Sequence, residues 1–118
     1  MEYADKAEMV RARAGLMHDL RDAEAELQAA DAAALPFEQA FSRAHARLRE
    51  ALEGEAALRP FYDARLAAGH AAHPYRQRVR DARAWVDSVV GELSEIDRQM
   101  SAADRAMAKR PKRQLSLF

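Results

Sequence analysis

From Tyr75 onward the apolar residues fall at fixed intervals. Tyr75, Val79, Ala82, Val86, Val89, Leu93, Ile96, Met100, Ala103 and Met107 follow one another at alternating steps of four and three. That alternation puts every member on one stripe of an α-helix, the seam of a heptad pattern. Two upstream segments carry similar stripes. Met9, Leu16, Leu20, Ala23, Leu27, Ala30 and Ala34 form the first, with Arg13 at an inner position; Phe37, Phe41, Ala44, Leu48, Ala51, Leu58 and Tyr62 line the second.

Glycine and proline mark where these stripes are expected to separate. Leu35-Pro36 is the first break, because the residue before a proline is pushed out of the α region. The second is Gly69 to Pro74, where Gly69 suits a helix C-terminus and Pro74 the first turn of the next helix. Pro111 closes the third segment, and Gly54 and Pro60 predict a kink or split inside the middle one. Three helices result, over about 3–34, 37–68 and 74–110, each roughly 48 to 55 Å long at 1.5 Å per residue. The expected fold is all-α: an antiparallel three-helix bundle over residues 1–108, followed by a flexible, disordered basic tail over 109–118. The alternative is a helical hairpin that dimerises into a larger bundle. The many alanines in the stripes allow close helix approach but bury little area each, so a monomer is expected to be only modestly stable.

Composition narrows the functional classes. The 118 residues suit one domain with a modest core. Lys+Arg and Asp+Glu number 19 each, so no net field draws the molecule to nucleic acid or to a membrane. There is no cysteine, which excludes disulfides, thiolate metal sites and a cysteine nucleophile. No long apolar run or signal-peptide pattern is present, so a cytoplasmic protein without membrane contact is expected. Asn and Thr are absent and Arg greatly outnumbers Lys, a bias that reads as the product of a GC-rich bacterial genome.

Little in the helical body suggests catalysis. His70 and His73 are three apart, but with no third ligand type beside them they read as solvated loop or cap residues; His18 and His45 stand alone. The carboxylates spread over helix faces with neighbours such as Glu95 and Arg98, and none is paired off for acid–base work. No phosphate-binding glycine loop or hydrolase motif occurs. A non-enzymatic protein without cofactor or metal is expected.

Charge is nevertheless unevenly placed. Residues 1–34 hold eight acidic and four basic side chains, whereas Arg76, Arg78, Arg80 and Arg83 crowd what would be the start of the third helix, where the macrodipole disfavours cations. The structural explanation is neutralisation by Asp81, Asp87 and the carboxylates of the middle helix. The functional one is a contact patch for DNA phosphates or another acidic surface. Trp85 lies beside the cluster as a bundle-edge packing residue or a stacking platform.

The last ten residues carry the sharpest signal. Lys109, Arg110, Lys112 and Arg113 surround Pro111, and Gln114, Leu115, Ser116, Leu117 and Phe118 follow. This pentapeptide resembles the motif by which bacterial replication and repair proteins bind the DNA sliding clamp, Gln-Leu-(Ser or Asp)-Leu-Phe, and matches it at every position. The resemblance covers five of 118 residues. It implies a binding activity and nothing about the fold of the body. Leu117 and Phe118 would plug a hydrophobic pocket on the clamp, Gln114 would fix register by hydrogen bonding, and Leu115 would add apolar contact. The basic run would favour an acidic clamp surface or nearby DNA. The structural alternative is that Leu115, Leu117 and Phe118 fold back as a cap on the bundle.

The resemblance implies an accessory protein of DNA replication or repair, an adaptor joining the clamp to a second replication or repair protein held by the helical body. The alternatives are a clamp inhibitor that competes with polymerases for the pocket, and a structural coiled-coil module unrelated to DNA.

Overall fold

The structure is a computed structural model that describes residues 5–54 and 57–109. Two long helices make up almost all of it: α1, Lys6–Glu53, and α2, Arg59–Ala108. No strand occurs among the described residues. The expected three-helix bundle is therefore corrected to two helices, and the turn lies where only a kink or split was expected.

Local chemistry explains the ends. Asp5 caps α1, its Oδ1 accepting the Glu8 amide at 2.7 Å. α1 stops at Glu53, and the Gly54 amide reaches back to the Ala51 carbonyl at 3.2 Å. α2 opens with Pro60 in its first turn, where a proline's missing N–H costs no helical hydrogen bond, and the Leu58 carbonyl accepts from Phe61 and Tyr62.

Pro36 and Pro74 lie inside α1 and α2 instead of ending helices, and Gly69, His70 and His73 are interior to α2. An interior proline removes one backbone hydrogen bond and costs about 3 kcal/mol, which weakens a helix without forbidding it. In compensation, the heptad alternation runs through each proline undisturbed: Ala30, Ala34, Phe37, Phe41 in α1 and Ala68, Ala72, Tyr75, Val79 in α2. Ending either helix there would surrender a continuous seam.

The chain forms two compact units. In the first, residues 5–22 of α1 and its cap run antiparallel to residues 87–109, with Lys6 Nζ 2.7 Å from Asp104 and Arg13 Nε 2.7 Å from Asp97. Met9, Val89, Leu93 and Ile96 are buried in it, and Arg13 spends its inner position on the ion pair to Asp97. Met107, expected on the seam, is exposed.

The second unit, residues 23–86, is an antiparallel helical hairpin. Its seam buries Ala23, Ala30, Ala34, Leu48, Ala51, Ala72 and Ala82. Phe61, not Tyr62, turns partly inward at the start of α2. Pro36-Phe37-Glu38 lies across from Pro74-Tyr75-Arg76. Phe37 stacks on Tyr75 with centroids 3.9 Å apart, and Glu38 pairs with Arg76. The Cβ-less edge of Gly69 faces the Phe41 ring. Both helices thus carry their proline at one level of the hairpin, where an aromatic pair and an ion pair hold them together.

Candidate interaction surfaces

Of the residues singled out in the sequence, Gln114, Leu115, Ser116, Leu117 and Phe118 lie outside the described residues, as do Arg110, Lys112 and Arg113. Lys109 is exposed just beyond α2, its amide donating to the Arg105 carbonyl at 3.2 Å.

The four clustered arginines all lie on α2 within the second unit, and they divide into two kinds. Arg76 donates Nε to Glu38 Oε1 at 2.5 Å and Nη2 to Oε2 at 3.1 Å, a bidentate fork, while its guanidinium carbon sits 4.7 Å from the centre of the Phe41 ring. Arg78 makes the same fork to Glu26, at 2.8 and 3.2 Å. Measured against the seam, these pairs occupy opposite flanks of the hairpin, as equivalent positions do across an antiparallel helix pair. Each hydrogen bond from arginine holds its carboxylate below the ordinary value and raises its own guanidinium. Arg80 and Arg83 are exposed, and among the described residues neither has an ion pair. Neutralisation by α1 carboxylates therefore accounts for Arg76 and Arg78 and leaves Arg80 and Arg83 free.

The macrodipole conflict disappears as well. α2 begins at Arg59, so Arg76 to Arg83 stand several turns inside it, beyond the reach of the N-terminal partial charge.

Beside Arg78 an open groove of about 400 Å³ is lined by Glu26, Pro74, Gln77, Arg78, Asp81, Ala82 and Trp85. Gln77 Nε2 donates to Asp81 Oδ1 at 3.0 Å, and Trp85 is 43% exposed. A flat, partly exposed apolar ring thus stands next to a guanidinium already committed to Glu26. In the first unit a hollow of about 470 Å³ lies among Asp5, Lys6, Ala103, Asp104, Ala106 and Met107, bridged by the Lys6–Asp104 ion pair.

The histidines do not converge. His18 Nε2 is 3.7 Å from Asp22, His45 stacks loosely on Phe41, and His70 and His73 are exposed on α2 rather than in a connector. No group of three or more His, Asp or Glu side chains among the described residues is placed to hold a metal ion. Nor is any described helix long and apolar enough to cross a membrane.

Sequence reasoning missed Glu26 and Glu38 as the arginines' partners. For Glu38 the signal lay in the pairing of two like tripeptides, Pro-Phe-Glu and Pro-Tyr-Arg, once the two helices of the hairpin lie antiparallel. No protein-family model, curated protein or solved structure matches this chain.

Proposed function

We propose that this chain is a non-enzymatic accessory protein of bacterial DNA replication or repair that tethers itself to the DNA sliding clamp. The observation that carries this reading is the uninterrupted match of Gln114 to Phe118 to the clamp-binding pentapeptide. Its residue types suit docking of an extended segment, in which alternate side chains fill pockets. Burying Leu117 and Phe118 is worth about 1.5 to 3 kcal/mol each before ordering costs are subtracted, which leaves a micromolar order of affinity. Lys109, Arg110, Lys112 and Arg113 add long-range attraction to an acidic clamp face or to DNA; Arg76 and Arg78 are already engaged by Glu38 and Glu26, whereas Arg80 and Arg83 have no ion pair among the described residues.

In this reading the helical body is the cargo end of an adaptor, and the Trp85 groove is the surface it offers a second replication or repair protein. An exposed tryptophan beside an arginine has the chemistry of an interface anchor. Calorimetric titration of bacterial sliding clamp with the full chain, and with a chain lacking Gln114 to Phe118, tests the tether. Heat of binding that disappears with the five residues supports it. Equal binding by both chains, or binding by neither, refutes it.

A further inference from the structure

The fully buried core of the second unit is thin, with Phe37, Phe41, Phe61, Tyr75 and Val79 only half-buried beside it. Six of its seven buried hydrophobic residues are alanines, and Leu48 is the only large one among them. Two helices can bury only one stripe each, and a single alanine-rich seam is a weak basis for a hairpin in water. The apolar residues that would thicken it are present on the outside. Leu35, Leu52, Tyr62 and Leu66 are 56, 52, 43 and 60% exposed. By heptad position all four fall on one flank, the side on which Glu38 meets Arg76.

Between residues 23 and 38 of α1 and residues 76 and 86 of α2 the charges of that flank are also segregated by helix, whereas Arg49 and Arg59 lie nearer the turn. On α1 it carries Glu24 and Asp31; on α2, at the corresponding level, it carries Arg80 and Arg83. None of these four is paired among the described residues.

The geometry points to a second copy of this chain as the occupant of the flank, giving a four-helix dimer. A two-fold axis parallel to the helices lays α1 of one copy over α2 of the other at equal height. Glu24 and Asp31 then face the second copy's Arg83 and Arg80, twice over, by symmetry. Leu52, Tyr62 and Leu66 of both copies gather near the turn, and Leu35 extends the apolar strip. The other two-fold arrangement, with the hairpins reversed, would put α1 on α1 and lay the exposed leucines and tyrosine near each turn over the charged far end of the other copy. The match of apolar with apolar and of acid with base therefore selects the parallel alignment. The Glu38–Arg76 fork enters the interface already satisfied, which limits the cost of covering it. This inference is independent of the clamp-binding reading, since none of its residues belongs to the tail.

Sedimentation equilibrium of the full chain at concentrations up to about 100 μM, which would saturate a micromolar dimer, is the test. Twice the 13.2 kDa chain mass is expected. Leu52→Glu with Leu66→Glu alters side chains already exposed within the hairpin, so helical circular dichroism should survive while the mass halves. The decisive arm uses two charge-reversed chains, Glu24→Arg/Asp31→Arg and Arg80→Asp/Arg83→Asp. Each alone should self-associate at least about tenfold more weakly than the unaltered chain, and the two mixed should form a heterodimer. A monomeric unaltered chain overturns the proposal. So does a dimer that persists with both glutamates, or a mixture of reversed chains that does not pair.

Discussion

At the scale of single residues, the clearest untapped stability lies at two glycines. Gly15 and Gly91 are interior to α1 and α2, and a Cβ built on either meets nothing within 4 Å. Glycine in a helix interior costs about 0.8 to 1 kcal/mol relative to alanine, through the freedom it loses on folding. Gly15→Ala and Gly91→Ala should each raise the denaturation free energy by about that amount, read from urea titrations of the single variants. A loss of stability in either would mean that some tertiary contact needs the bare backbone. Acid sensitivity is a second residue-level consequence. Arg78, Arg76 and, for Glu95, Gln99 together with Arg98 hold the carboxylates of Glu26, Glu38 and Glu95 below the ordinary 4.5. In that range the unfolded chain binds more protons than the folded one, so stability rises with pH there. The contribution is fully present above pH 4.5 and is lost as pH falls through the lowered folded values. Thermal melts between pH 7 and pH 3 should show a flat upper range and an acid decline, and Glu38→Gln should remove part of that decline. An identical decline in the variant would show that the Arg76 fork is not its source.

At the scale of elements, the pattern of positions revealed the helices but not their number. The four-three alternation that crosses Pro36 and Pro74 was there to be read, and so was the pairing of Gly54 with Pro60 at the real turn. What the chain alone does not reveal is which of two comparable terms wins. A proline penalty of about 3 kcal/mol is known in advance. The contacts set against it depend on partners far away in sequence: Phe37 on Tyr75, and Glu38 with Arg76, 38 residues apart. The same distance hid the arginine partners, since Glu26 and Arg78 are 52 residues apart. The pentapeptide, by contrast, is a local string whose reading needs no distant partner, and it lies outside the described residues. If the prolines are tolerated at a cost, removing them should help. Pro36→Ala and Pro74→Ala restore a backbone donor to Ala32 and His70 respectively, and both positions are exposed. Each should stabilise the protein by about 1 to 3 kcal/mol, measured by urea denaturation. A variant less stable than the parent would mean that the proline-induced geometry is itself needed to bring Phe37 onto Tyr75.

At the scale of the whole molecule, a chain of zero net charge still concentrates four cations in the five residues from Lys109 to Arg113, directly ahead of the proposed clamp peptide. Coulombic attraction and pocket filling should then control different rates. Charges outside the pocket act over a Debye length of about 10 Å at 0.1 M salt, so they steer the encounter and contribute little once the peptide is seated. On the proposed reading Leu117 and Phe118 make contacts only in the seated complex, so their loss should speed escape. Surface plasmon resonance on immobilised sliding clamp separates the two. Replacing Lys109, Arg110, Lys112 and Arg113 with glutamine should slow association about tenfold at low salt, with dissociation unchanged and the difference vanishing at high salt. Leu117→Ala and Phe118→Ala should leave association nearly intact and raise the dissociation rate, by roughly tenfold or more for each side chain. If the glutamine variant instead dissociates faster at every salt concentration, the basic run belongs to the seated interface, and the binding unit extends from Lys109 to Phe118 rather than over the last five residues.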